Sequence, residues 1–149
     1  MSFKPYVYEK LLSGIKIYEH RKVFPDEPIK AFLYVSHPVS SITGILYLGK
    51  RHSLEQWKDQ YAYDEDAVHR IDDYLKTQRY AMEIEEFRET NRISLHKLRN
   101  DLEKFVVPQM YYYLDGTELL YYIQKELIET GTVIKHDFSN ISSIDICKN

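Results

Sequence analysis

The sequence predicts an α+β domain whose strands pair mostly as hairpins and whose helices lie in separate stretches between them. Three patterns predict it. Short alternating or β-branched runs are bounded by Gly and Pro, helical periodicity recurs between those runs, and no βαβ alternation of the kind that builds a parallel sheet is present.

The elements follow in order. Pro5 suits a first helical turn, Tyr8, Leu11 and Leu12 share a face, and Gly14 supplies a left-handed stop, so a helix is expected from about Pro5 to Ser13. After Gly14 the pattern alternates, with Ile15, Ile17 and His20 on one side, and Pro25 closes this strand. Ala31 to Ser36 is a second strand, interrupted by Pro38. Ser41 to Leu48 is a third, where Gly44 marks a bulge or a close backbone approach and Gly49 ends the run.

Two helices are expected next, from Ser53 to about Tyr61 and from about Glu65 to Lys76, the latter with Val68, Ile71, Tyr74 and Leu75 on one face. Asp64, Glu65 and Asp66 suit the positive end of that helix. Tyr80 to Phe87 alternates as a strand. Ser94 starts a helix carrying Leu95, Leu98, Leu102 and Phe105, which Pro108 stops. Asp115 and Glu118 form a capping-box-like pair for a helix running through Leu127 to Gly131, and Ser142, Ile144 and Ile146 suggest a last short strand. No internal repeat or flexible linker divides residues 1–149, so one domain is expected.

Composition narrows the function classes. The net charge of −3 disfavours a protein that grips duplex DNA through its phosphates. The 14 tyrosines suit packing, half-buried walls and stacking platforms alike. A single cysteine, Cys147, excludes an intramolecular disulfide and a cysteine zinc cage, and without an activating neighbour in sequence it reads as inert. Met1 to Pro5 lacks the apolar core of a signal peptide and no apolar run reaches spanning length, so a cytoplasmic protein without a membrane partner is expected. No phosphate-binding loop, dinucleotide fingerprint or HExxH motif is present, and no cofactor is expected. His69, Asp72 and Asp73 have helical spacing for a metal face, but with six scattered histidines this is coincidence, and no metal is expected.

Lys16, Glu19 and Arg21 are the charged residues that stand out. Strict alternation puts Lys16 opposite Glu19, whereas Glu19 and Arg21 share a face at ion-pair spacing. Spacing alone fits either a ligand site, with Arg21 as fork donor and Glu19 as acceptor, or an incidental surface pair.

The run Gly14-x-Lys16-x-x-Glu19-x-Arg21, preceded by the helix Tyr8 to Ser13, resembles the motif of the ASCH domain family, a branch of the PUA-like superfamily. Phe24-Pro25, Tyr34-x-Ser36-x-Pro38-Val39, Gly44, Ala81-x-Glu83-Ile84 and Pro108-Gln109-Met110-Tyr111 extend the likeness in order from about Lys4 to Leu114. Residues 115–149 would be a C-terminal helical extension and tail. The resemblance implies a partly open β-barrel with flanking helices and a cleft into which Lys16, Glu19 and Arg21 project. It also implies an RNA or nucleotide ligand, for which Tyr34, Ser36, Trp57 and Tyr111 are candidate rim residues and base platforms.

Two alternatives stand beside that reading. One ASCH branch deacetylates N4-acetylcytidine, its motif lysine activating a threonine three residues later. Glu19 holds that position here, so a hydroxyl nucleophile is missing there, although a carboxylate can still serve a water as base. A hydrolase acting on a modified nucleoside is thus the first alternative. The second is a DNA-binding transcription regulator using the last two helices, whose connection from Val106 to Asp115 is long for a helix-turn-helix.

Overall fold

A computed structural model describes residues 1–148. The strands are β1 (Ser2–Phe3), β2 (Tyr18–Arg21), β3 (Ile29–Val35), β4 (Ser41–Ser53), β5 (Tyr80–Ser94) and β6 (Glu129–Lys135). The helices are α1 (Pro5–Leu12), α2 (Leu54–Gln60), α3 (Glu65–Leu75), α4 (Leu95–Asp101) and α5 (Glu118–Glu126), followed by a 3-10 turn at Ser143–Asp145. The six strands make one sheet in the order β1-β3-β4-β5-β2, with β6 also on β5. It is a mixed α+β fold whose sheet curls without closing, the partly open barrel with flanking helices that the sequence predicts.

Strand β5 is the spine. One edge pairs with β4, while the other is shared, with β2 at Tyr80 to Glu83 and β6 at Glu86 to Thr90. Gly44 sits where the β4–β5 register shifts, and a Cβ there would lie 2.5 Å from the Phe87 ring and 2.9 Å from the Arg88 carbonyl. The close approach read from sequence is therefore real, and only hydrogen fits.

Side-chain caps start the helices where local chemistry says they should. Ser53 accepts from the Gln56 amide, Asp64 from Asp66 and Ala67, and Ser94 from Lys97, each satisfying amides left free in a first turn. Gly14, at φ +77°, ends α1.

Three clusters make the core. The first packs Tyr8 and Leu11 of α1 against Leu33, Leu46, Leu48, Ile84 and Phe87 of the sheet. Each such large side chain stabilises by about 1.5–3 kcal/mol on burial. The second gathers Tyr18, Leu54, Trp57, Ile71, Ile146 and Cys147 under α2 and α3. The third joins Tyr34, Ile42, Ile93, Leu98, Phe105 and Ile123 beneath α4 and α5.

Several expectations need correction. Gly49 does not end β4, which runs on to Ser53, and β5 runs past Phe87 to Ser94 because each long strand completes the other's ladder. The cap of α5 is Thr117, whose hydroxyl accepts from the Leu120 amide, so Asp115 is not its start. That helix stops at Glu126, and Gly131 lies inside β6, a strand the sequence reading missed. Ser142 to Ile146 forms a 3-10 turn instead of a strand, its capping box closed by Ser142 and Asp145. Strand β1, of two residues, was also missed. Residues 102–117 separate α4 from α5, so the two do not form a helix-turn-helix. No described helix is long and apolar enough to cross a membrane.

Candidate functional site

Gly14 reverses the chain after α1, and the Lys16 amide returns to the Lys10 carbonyl at 3.1 Å. This turn sets Lys16 just ahead of β2, outside the alternating ladder. Its side chain therefore reaches Glu19 instead of pointing away from it, with Lys16 Nζ 3.7 Å from Glu19 Oε1 and Arg21 Nε at the same distance. Lys16 Nζ also donates to the Tyr18 carbonyl at 2.7 Å, and the His20 amide donates to Glu19 Oε1 at 3.0 Å. The Lys16 and Arg21 side chains thus converge on the buried Glu19 carboxylate. Its Oε2, like Arg21 Nε, is buried without a hydrogen-bond partner among the described residues.

Arg21 points inward. It donates from Nη2 to the Ser2 carbonyl at 3.0 Å, and its guanidinium lies 5.6 Å from the centre of the Phe3 ring. It ties β1 to β2 and does not line the adjacent cleft.

That cleft, of about 460 Å³, opens beside Lys16 between α1, β2, α3 and the C-terminal segment. Lys10, Lys16 and Lys148 bring three ammonium groups to its walls, and Tyr6 and Tyr74 bring aromatic faces. The ion pairs of the described residues leave Lys10 and Lys148 without a carboxylate. Asp145, the carboxylate on the wall, is engaged by the Ser142 amide at 3.0 Å and hydroxyl at 3.3 Å. The cleft is therefore locally cationic in a chain of net charge −3.

His20 also lines this cleft, its ring 4.2 Å from that of Tyr74 and tilted by 38°. Burial, helped by the Lys16 charge, pushes His20 down to about 3, so at neutral pH it is an uncharged imidazole. Cys147 Sγ lies 3.9 Å from His20 Nε2. Burial pushes that thiol up to about 12, which makes it a packing group and not a nucleophile.

The four other residues expected at the site are dispersed. Trp57 is buried in the second cluster, edge-on to Tyr18 at 5.0 Å and stacked on His52 at 5.0 Å, so it cannot be a rim. Tyr34 is buried in the third cluster against Phe105. Ser36 sits in the β3–β4 turn, its amide bonded to the Phe3 carbonyl at 2.9 Å. Tyr111 stacks on Phe24 and lines a second cleft, of about 470 Å³, with Tyr112 and Tyr113. Conversely, Tyr6, Lys10, Tyr74 and Lys148 escaped the sequence reading, because only the folded chain brings α1, α3 and the C-terminal segment together. Among the described residues no cluster of three or more His, Cys, Asp or Glu side chains is placed to hold a metal ion.

A partly open, helix-flanked sheet with a cationic cleft beside a GxKxxExR turn defines the class of fold. The particular fold is that of the ASCH domain. The crystal structure of an ASCH protein from Zymomonas mobilis superposes with a TM-score of 0.61 at 21% identity, covering 83% of this chain and 92% of that one. A serine-to-alanine mutant of the same protein gives 0.61 at 22%, covering 84% and 93%, and a tyrosine-to-phenylalanine mutant gives 0.61 at 20%, covering 83% and 94%. No protein-family model and no curated protein sequence matches the chain.

Proposed function

We propose that this chain is an RNA- or nucleotide-binding module whose ligand occupies the cleft beside Lys16. The observation that carries the reading is the pairing of Lys10 and Lys148, which have no carboxylate partner among the described residues, with the aromatic faces of Tyr6 and Tyr74 in one cleft of an acidic chain. A nucleotide offers the complementary parts, an anionic phosphate and a flat base. Glu19 orients Lys16, and Arg21 acts from behind by holding β1 and β2 together. Neutral His20 offers a base edge a donor or an acceptor according to its tautomer. The open size of the cleft suits a single nucleotide or a short single strand better than a duplex.

Calorimetric titration with short single-stranded RNAs and nucleoside monophosphates tests this. Binding is expected for the wild type and weakened about tenfold in Lys16→Ala. Identical isotherms for the two proteins would refute the reading. Turnover of acetylated nucleosides that disappears in Lys16→Ala would instead favour the hydrolase alternative.

A further inference from the structure

The C-terminal segment Ser142–Lys148 is fastened beside the cleft by a set of contacts to α3 and its cap. Arg70 of α3 donates from Nε to the Ile146 carbonyl at 3.0 Å and from Nη2 to the Ser143 carbonyl at 2.8 Å. The Ser143 hydroxyl donates to Asp64 Oδ2 at 2.6 Å, so the residue that caps α3 also holds the segment. Ile146 and Cys147 are fully buried in the second cluster. Cys147 then takes a left-handed backbone, φ +51°, which a residue with a Cβ adopts at a cost. That turn leads into Lys148, which is exposed on the cleft wall.

Arg70 and Tyr74 are one helical turn apart on α3, so one face of this helix both supplies an aromatic wall and anchors the strap carrying Lys148. With Lys16 drawn toward Glu19 and the Tyr18 carbonyl, Lys148 and Lys10 are the cleft ammonium groups with no carboxylate partner among the described residues. Lys148 follows directly on a segment that Arg70 holds by a fork of charge-assisted hydrogen bonds to the Ser143 and Ile146 carbonyls.

We infer that the strap is a ligand-binding element, in which Lys148 contacts the phosphate that separates a nucleotide from a nucleoside and Arg70 is its positioning residue. The inference rests on the nucleotide reading of the cleft. The test is calorimetry with the four nucleoside 5′-monophosphates and the matching nucleosides. The wild type is expected to prefer a monophosphate by about tenfold. Lys148→Ala and Arg70→Ala should each lower that preference several-fold, and Lys148→Arg should retain it. The double variant should be no worse than either single one, since Arg70 acts through Lys148. A preference kept in Lys148→Ala but lost in Lys16→Ala would overturn the role of the strap and leave the nucleotide reading standing. Failure of the wild type to bind any of these ligands would overturn the role of the strap, and failure to bind the short RNAs as well would overturn both. Lys148 is exposed and its replacement removes no core contact, so the test does not depend on how well Arg70→Ala folds.

Discussion

The two clefts differ little in volume, about 460 and 470 Å³, yet they are built for different company. The first sets three lysines against one carboxylate that is already engaged by Ser142. The second sets Lys30 against Glu27 and Asp115, and Lys30 itself leans over the Phe32 and Tyr47 rings at 5.5 and 5.8 Å. Both have aromatic walls, with three tyrosines each. Size and aromatic content therefore do not separate the two clefts, whereas lysines without a carboxylate partner among the described residues do.

The contrast can be broken or sharpened by four measurements. The largest effect is expected from Trp57→Ala, which empties the floor of the second cluster beneath the first cleft. It should cost about 3–5 kcal/mol in urea unfolding, and a loss below ~1 kcal/mol would return Trp57 to the rim. Next comes Lys10→Ala, expected to weaken nucleoside monophosphate binding several-fold, while the charge-matched change Lys30→Ala in the second cleft leaves it unaltered. Equal losses would erase the distinction between the clefts.

A third measurement follows from the base that each cleft buries. His20 in the first is pushed from 6.5 to about 3, and the Met1 amine at the second from 8.0 to about 5, in both cases chiefly by burial. Between the two values of each group the unfolded chain binds the proton and the folded chain does not. Stability should therefore fall as pH drops from 8 towards 5 through the amine, and from 6.5 towards 3 through the imidazole. Unfolding followed across pH in His20→Gln should lose the lower window and keep the upper one. A profile superimposable on that of the wild type would contradict the buried, neutral His20. The smallest effect is expected from Tyr113→Ala, whose side chain is 63% exposed. It should change stability by no more than about 0.5 kcal/mol and leave nucleotide binding as it was.

The first turn of most elements was legible because its causes are local. Ser53 and Ser94 announce their helices by side chains that cap the next turn, Gly14 stops α1 by a backbone sign, and Gly44 marks the approach of Phe87. What failed was set by pairing at a distance. Gly131 looks like a helix stop but lies in β6, a largely exposed strand that exists because β5 has an edge free to receive it. Lys16, Glu19 and Arg21 stood out in the sequence as a charged motif, but their geometry did not. Alternation separates the Lys16 and Glu19 side chains, and the turn after Gly14, which no periodicity describes, brings them together. Tyr74 read as helix packing and Lys148 was not singled out, since their joint position depends on contacts such as Arg70 to Ile146, 76 residues apart.

The divided edge of β5 also orders events during synthesis. Its first residues can take β2 as soon as they emerge, since both lie in the N-terminal two-thirds of the chain. Its middle stays uncovered until β6 arrives, and the second cluster stays short of Ile146 and Cys147 for longer still. A nascent chain lacking residues 129–148 thus displays an open ladder and an unfinished aromatic floor, the two surfaces most prone to pair with a neighbour. The first cleft and the cover over the β5 edge are thus completed by the same late-arriving residues.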